Sequence, residues 1–517
     1  MTRGRLNWPF ALVVLLTLAA LALRVRQYDL SLLGDELSTL SIVRDSGLRG
    51  VIDQVSSDAE ITPPLYFTLA WLATKLGSAP ELVRLPALVA GVASVPMLYL
   101  LGLRTVGRTP GLIGAFLMAV APSMIYYSGS GRAYSLMLFL AIASTLAMLA
   151  AIRTGRTRWW VAYAAASVLA VYSHYTVVLV LAAQFLWLLW AHPEHRRPAF
   201  LANLAAGVAF LPWIPGLLSD FDSPTRTLLE GLQGQGVQAK RFALEQWVIG
   251  HPLVDLARLP GLADRLIVWA GIALATVVFF AQRIGTVSSL RQWARDHRPA
   301  VLVLALALVA PVVEGILALL GSDIFGARNL APSWPGMALA VGALLTAIGP
   351  VWGGICGVAV LGGFLFAGGK STDPGLVPTD YRAAAERIET EAGPGDLAVD
   401  LVSTPYISPV PLTPLQLYIG DRTSRIALDH PVGPPPFLPG DPPVPEPGER
   451  LRSALTTASG GDLFIVAPEA EVTVGGVDRP EVSGNVVALP DGWQVVSRSS
   501  YPGMDRLNLI RVRPPGE

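Results

Sequence analysis

The sequence predicts an α-helical polytopic membrane protein with about eleven transmembrane helices, followed by a small C-terminal α/β domain. Of its 517 residues, 52% are hydrophobic and only 15% are charged, whereas an average soluble domain has about 25% charged residues. The charge is also unevenly divided. From residue 371 onward there are 20 acidic and 11 basic residues, and the preceding residues contain 27 basic and 18 acidic ones. An apolar, basic part is therefore followed by an acidic, soluble tail.

Composition excludes several other classes of protein. The one cysteine, Cys356, lies in an apolar run, which excludes a disulfide framework and any metal site built from several cysteines. The net charge of zero argues against a general nucleic-acid partner. Lysine occurs only three times beside many arginines, and this bias favours a bacterial inner (plasma) membrane over a eukaryotic endoplasmic reticulum.

Hydrophobic runs define the predicted spans, because a spanning helix needs about 20 mostly apolar residues. Eleven segments approach that length: 8–25, 82–104, 111–128, 133–152, 159–173, 175–191, 198–215, 264–281, 299–320, 330–348 and 351–367. The apolar run 65–76 is too short to cross, so we expect an interfacial or re-entrant helix there.

Arginine in alternate loops fixes the predicted orientation. With a cytoplasmic N-terminus, the cytoplasmic loops contain Arg104, Arg108, Arg153, Arg156, Arg158, Arg196, Arg197, Arg283, Arg291, Arg295 and Arg298. The opposite, extracytoplasmic side then holds a first external loop, 26–81, and the C-terminal domain. We predict a membrane domain over 1–370 and the soluble domain over 371–517.

The soluble domain has alternating helix and strand signals. Asp380-Tyr381-Arg382 opens the tail and a helical pattern follows it to about Glu391. Apolar strand candidates come next, at 397–402, 463–467 and 507–512. The proline-dense residues 431–448 predict an extended loop.

Charged and polar side chains that are costly in lipid converge on the predicted outer side. They are Arg24, Asp35, Glu36, Arg84, Arg132, His174, Tyr175 and Arg328. Paired acids beside arginines suit a reaction that uses a carboxylate base and a phosphate leaving group, because arginine binds phosphate bidentately and keeps its charge.

Structural roles compete with these interpretations. Arg24 can snorkel to the membrane interface, and Arg84 can pair with Glu81. Acidic residues such as Asp35 and Glu36 are common in the first turn of a helix. A single histidine between apolar helices, such as His174, is often a hydrogen-bonded structural residue.

An ordered set of short motifs carries a resemblance to a known family. It comprises Asp35-Glu36, Thr62-Pro63-Pro64-Leu65-Tyr66, Val83-Arg84-Leu85-Pro86, Ala121-Pro122, Tyr127-Ser128, Arg132-Ala133-Tyr134-Ser135, His174-Tyr175 and Arg328-Asn329-Leu330. Over roughly residues 1–370 the chain resembles the polyprenyl-phosphate-dependent GT-C glycosyltransferases. The branch it resembles most is the family 39 and aminoarabinose-transferase-like group, which includes the protein O-mannosyltransferases.

The resemblance implies a glycosyltransferase that moves a hexosyl or pentosyl group from a polyprenyl-phosphate donor to an acceptor hydroxyl outside the membrane, with inversion. It implies that Asp35 is the general base and that Glu36 positions substrate or tunes the base. The acceptor would be a glycan, a lipid or a protein, and a divalent metal at Asp35 and Glu36 is a further possibility. The residues implied in substrate binding are Arg24, Tyr66, Arg84, Arg132, Tyr134, His174, Tyr175 and Arg328.

One departure from the family pattern concerns the residues before Arg132. Many relatives have Gln-Glu-Ala-Arg where this chain has Gly129-Ser130-Gly131-Arg132, so Ser130 stands where the glutamate is usual. Either that acid is dispensable, or Glu36, Glu60 or Asp58 takes its place, or the choice of substrate differs.

Two other functions remain as alternatives. A transporter or flippase of lipid-linked sugars would also need charges within a helical bundle. Against it, the sequence has no inverted repeat and its ionisable groups cluster at one surface instead of the midplane. A membrane-anchored binding protein, with the tail as its active part, is the third possibility.

Overall fold

A computed structural model describes residues 8–56, 60–223, 236–283, 290–393, 395–401, 414–419, 427–429, 448–449, 451–452, 455, 461–483 and 486–515. Contacts divide the chain into two compact units, one made of 1–28 and 46–372, the other of 29–45 and 373–517. The second unit thus contains a stretch of the first external loop, which sequence reasoning had placed in the membrane domain.

The described part of the first unit consists of helices and the loops that connect them. Its helices are α1 (Trp8–Tyr28), α3 (Leu48–Val55), α4 (Leu65–Thr74), α5 (Leu85–Thr105), α6 (Arg108–Val120), α7 (Pro122–Gly129), α8 (Tyr134–Thr154), α9 (Thr157–Ser173), α10 (Val178–Ala191), α11 (Arg196–Phe210), α12 (Ile214–Asp222), α13 (Gly236–Val248), α14 (Leu262–Arg283), α15 (Leu290–Asp296), α16 (Arg298–Leu319), α17 (Trp334–Ala347) and α18 (Pro350–Lys370). Helix α2 (Asp35–Val43) lies in the second unit.

Helices occupy all eleven predicted spans, which confirms a multi-pass membrane protein. Within the described residues, seven helical segments are long and apolar enough to cross a bilayer, or eight if α6 and α7 form one bent span. The predicted spans at 159–173, 175–191 and 330–348 are shorter helices, of 17 residues for α9 and 14 each for α10 and α17. Eleven crossings therefore remain a prediction, as does the interfacial placement of the ten-residue α4.

Proline causes a 57° break between α6 and α7. Pro122 has no N–H to donate to the Met118 carbonyl, and the residue before it, Ala121, is extended, as residues before proline usually are. Arg24 of α1 supplies the missing donors. Its guanidinium donates to the carbonyls of Met118 at 2.8 Å and Ala119 at 2.9 Å. This repair is needed because an unsatisfied carbonyl in hydrocarbon costs several kcal/mol.

Small residues allow close helix crossings in the first unit. At the crossing of α5 and α6, Gly102 lies so near Gly111 that a Cβ on Gly102 would overlap the Gly111 Cα. Close backbone approach at glycine is the usual way in which transmembrane helices pack.

The second unit contains two small sheets. Its strands are β1 (Leu397–Asp400), β2 (Ala427–Asp429), β3 (Leu463–Pro468), β4 (Glu471–Val474), β5 (Glu481–Ser483), β6 (Val486–Leu489), β7 (Gln494–Tyr501) and β8 (Leu507–Arg513). The larger sheet has the order β2-β1-β3-β8-β7, with β1 parallel to both neighbours and β8 antiparallel to both of its own. The smaller sheet has the order β4-β6-β5.

The three predicted strands are confirmed as β1, β3 and β8, and the predicted helix as α19 (Tyr381–Glu391). Alternate residues of β1 and β3 enter two separate apolar clusters, because successive side chains point to opposite faces of a sheet. Helices α19 and α20 (Pro414–Ile419) cover one face. All but the last residue of the predicted proline-dense loop lies outside the described residues.

We expect Gly102→Val to lower the stability of the first unit by about 1–3 kcal/mol, because the new side chain would overpack the α5–α6 crossing. Thermal unfolding of the detergent-solubilised protein measures the effect. Gly362→Val is the matched control, since nothing lies within 4 Å of a Cβ at Gly362. Equal unfolding midpoints for the two variants would contradict the close crossing.

Candidate functional site

A buried ion pair joins the loop before α4 to the turn before α8. The guanidinium of Arg132 donates from both terminal nitrogens to the Glu60 carboxylate, at 2.6 and 3.0 Å, and also to the Thr62 hydroxyl at 3.2 Å. The two side chains are only 12% and 6% exposed. Glu60 therefore supplies a buried carboxylate partner for Arg132.

A series of aromatic and imidazole rings runs through the same part of the first unit. Ring centroids are 4.6 Å apart for His251 and Tyr126, and 5.7 Å for Tyr126 and Tyr127. The series continues at 4.7 Å from Tyr127 to Tyr134 and at 5.2 Å from Tyr134 to His174. Helix α7 carries two of these tyrosines, and Tyr134 begins α8.

Arg328, in the turn before α17, acts electrostatically on Tyr127, His174 and His251. Both histidines lie outside the helices. Burial, together with the charges of Arg132 and Arg328, lowers the pKa of His174 to about 4. Burial, together with Arg328, lowers the pKa of His251 to about 3. Both imidazoles are therefore neutral at pH 7.

Tyr175 lies at a hydrogen-bonded junction beside this group. Its hydroxyl donates to the Asp220 carboxylate and accepts from the Trp213 indole nitrogen at 2.9 Å. The Glu60 carboxylate also acts on it electrostatically. The structure thus brings five of the predicted site residues into one connected group: Arg132, Tyr134, His174, Tyr175 and Arg328.

Three other predicted binding residues contact main-chain carbonyls of the first unit, and their roles in substrate binding stay predictions. Arg24 is fully buried on the main-chain carbonyls at the α6–α7 break. Arg84 donates to the Gln27 and Tyr28 carbonyls at 3.1 and 2.8 Å, which are the carbonyls that a helix end leaves without intrahelical partners. The Tyr66 hydroxyl donates to the Val83 carbonyl at 2.8 Å. These contacts favour a role in folding for all three.

The predicted acid pair lies in the second unit, at the start of α2. Gly34 precedes it with a φ of 50°, a backbone conformation that glycine adopts without strain. Asp35 is half-buried, whereas Glu36 is only 7% exposed. Both sit in the first turn of the helix, where negative charge is favoured.

Sequence reasoning missed several members of the group. His251 and Tyr126 were not singled out, and Glu60 was named only as one of three substitutes for an absent acid. Tyr126 and Tyr127 are adjacent aromatic residues just before the glycine-rich turn, which was a usable signal. Asp58, another suggested substitute, lies outside the described residues.

Candidate metal ligands are sparse in the part of the chain that the structure describes. No three histidine, cysteine, aspartate or glutamate side chains group there closely enough to hold an ion. A divalent metal at Asp35 and Glu36 stays a prediction.

Comparisons with known proteins agree with this architecture. Residues 62–218 match the model of the family described as dolichyl-phosphate-mannose-protein mannosyltransferase. A stretch of 101 residues is 31% identical to "Putative mannosyltransferase YkcB" of Bacillus subtilis (strain 168), and it covers 19% of this chain and 14% of that protein.

Solved structures show the fold. The oligosaccharyltransferase of Archaeoglobus fulgidus, solved with a tethered acceptor peptide containing the NVT sequon, matches with a TM-score of 0.52 at 11% identity, over 90% of this chain and 70% of that one. The chain has the GT-C fold. ArnT from Cupriavidus metallidurans is also similar, at 14% identity over 96% of this chain and 97% of its own, with a TM-score of 0.49. The resemblance inferred from the motifs is confirmed.

We expect Glu60→Gln to destabilise the protein by about 3 kcal/mol, because it leaves the buried Arg132 charge uncompensated. Chemical or thermal unfolding in detergent measures this. The double variant Glu60→Gln/Arg132→Gln should lose less than the two single variants together. Asp53→Asn, which breaks the exposed Arg49–Asp53 pair, is the control and should be nearly neutral. Additive losses in the double variant would contradict the pair.

Stability should fall as the pH drops below about 6.5. In that range His174 and His251 take up protons in the unfolded chain, whereas their lowered pKa values keep them neutral in the folded protein. Each histidine therefore lowers the free energy of unfolding by up to about 1.4 kcal/mol for each pH unit of acidification. Unfolding midpoints between pH 5 and 7 should depend less on pH in His174→Gln than in the exposed control His297→Gln. Equal slopes would contradict a buried, neutral His174.

Proposed function

We propose that this protein transfers a sugar from a polyprenyl-phosphate donor to an acceptor hydroxyl at the outer face of a bacterial inner membrane. The observation that carries the proposal is the connected group in the first unit, within a GT-C fold. Two guanidinium groups, Arg132 and Arg328, act on the same imidazole, His174, beside a run of tyrosine rings.

This group has the chemistry that a sugar phosphate needs. Guanidinium groups bind phosphate oxygens and stabilise the negative charge that grows on a leaving phosphate. Tyrosine and neutral imidazole rings provide flat faces and hydrogen-bonding groups for a sugar. The Arg132 guanidinium is held in place by Glu60, so binding phosphate requires little reorganisation.

Asp35 is the proposed general base. It accepts the proton of the acceptor hydroxyl, whose oxygen forms a bond to the anomeric carbon. The bond from that carbon to the phosphate oxygen breaks, and the polyprenyl phosphate leaves with the electron pair. Attack opposite the leaving group inverts the anomeric configuration. Asp35 is favoured over Glu36 because it is the more exposed residue of the two.

The comparisons support the class of donor and acceptor. The matched family is described as dolichyl-phosphate-mannose-protein mannosyltransferase, and the similar archaeal oligosaccharyltransferase was solved with an acceptor peptide. For this chain the donor is accordingly a sugar on an isoprenoid phosphate, and the acceptor is a glycan, a lipid or a protein. Arginine in alternate loops supports a cytoplasmic N-terminus and an extracytoplasmic C-terminal unit.

We expect Asp35→Asn to lower the rate of sugar release about 10²–10⁴-fold, which is the usual contribution of a general base. Purified protein in lipid, a radiolabelled polyprenyl-phosphate sugar and a cell-envelope extract make up the assay. Asp45→Asn, an exposed aspartate at the far end of the same segment, controls for the loss of charge. Full release by Asp35→Asn would exclude Asp35 as the base.

A further inference from the structure

Residues 30–34, which directly precede the acid pair, belong to the C-terminal unit. The main-chain N–H of Leu32 donates to the hydroxyl of Tyr418 in α20 at 2.8 Å, and the N–H of Arg382 in α19 donates to the hydroxyl of Ser31 at 3.1 Å. Leu32 and Ser31 are 0% and 1% exposed. Buried main-chain N–H groups require an acceptor, and Tyr418 supplies it for Leu32.

Tyr418 is itself fixed by the core of that unit. The guanidinium of Arg382 lies over its ring, 5.1 Å from the centroid. Tyr418 and Leu33 pack against the same apolar cluster, which includes Tyr381, Leu415 and Phe464. The tyrosine hydroxyl is thus a rigid acceptor at the edge of a packed core.

The docked residues connect directly to the first turn of α2. The Leu33 carbonyl accepts from the N–H of Glu36 at 3.1 Å, and the Gly34 carbonyl accepts from the N–H of Leu37 at 3.0 Å. One residue, Gly34, separates the docked Leu33 from Asp35. A displacement of Leu32 and Leu33 would therefore move both carboxylates with the turn.

We infer that Tyr418 is a positioning residue for Asp35 and Glu36, and that a main function of the C-terminal domain is to hold this acid pair in place. The inference rests on the proposed function, in which Asp35 is the base. It also gives the acidic C-terminal domain a role in catalysis that does not require catalytic residues of its own.

Tyr418→Phe tests the inference, because it removes the hydroxyl acceptor and keeps the ring. Hydrogen–deuterium exchange should show faster exchange over residues 30–37 and little change in the rest of the second unit. The turnover number for sugar release should fall about 10- to 100-fold, as misplacement of a reacting group commonly costs. The KM for the donor should stay within about twofold of wild type, as expected when transition-state interactions alone are lost.

Tyr501→Phe is the matched control, since Tyr501 lies on β7 and packs against the same cluster. It should leave exchange over residues 30–37 and turnover unchanged. Unchanged exchange in Tyr418→Phe would overturn the inference, as would faster exchange spread evenly over the second unit. Hydrogen–deuterium exchange can be measured even in a protein that turns over no substrate, so it tests the docking of residues 31–33 by itself. A wild-type protein that releases no sugar from any donor would overturn the proposed function.

Discussion

A main-chain carbonyl in the interior of a membrane protein needs a hydrogen-bond donor. At the break between α6 and α7 one such donor is missing, because Pro122 has no N–H. Arg24 restores it across more than ninety residues of chain, by donating to Met118 and Ala119. The break turns α7 away from α6, and α7 carries Tyr126 and Tyr127 and leads into the turn of Arg132. The ring series and the Arg132–Glu60 pair therefore depend on hydrogen bonds of Arg24 that lie outside both.

Charged residues of the first unit serve two different purposes. Arg24 and Arg84 donate to main-chain carbonyls, at a helix break and a helix end respectively. Arg132 pairs with a carboxylate, and Arg328 acts electrostatically on Tyr127, His174 and His251.

Sequence alone predicted the helices well, because long apolar runs such as 299–320 have few alternatives to a buried helix. It did not predict the break at Pro122, because hydrophobicity is continuous across 111–128. The strands β4, β5 and β6 have three or four residues each, too few to show a recognisable alternation of apolar and polar residues.

The site residues were harder to predict than the helices. Arg24 and Arg132 look alike in the sequence, since only the fold decides which partner each one meets. His251 was missed because its neighbours come from distant parts of the chain.

The segment 29–45 shows why domain boundaries are hard to infer from hydrophobicity. It directly follows a membrane helix, yet its Leu33 packs against the core of the C-terminal unit. A polar loop between two apolar runs contains no local signal for a partner that lies more than 340 residues later in the chain. The acid pair implied by the resemblance is held there, so the soluble domain has a direct structural connection to the proposed chemistry.

The central claim is that the protein cleaves the bond between a sugar and a polyprenyl phosphate. The most direct measurement incubates wild-type protein in lipid vesicles with a panel of polyprenyl-phosphate sugars and an envelope extract, and follows free polyprenyl phosphate together with the anomeric configuration of the product. Release from at least one donor, with inverted configuration, is the predicted result. If no donor is cleaved and labelled lipid crosses the bilayer instead, the protein is a transporter of lipid-linked sugars and the claim is wrong.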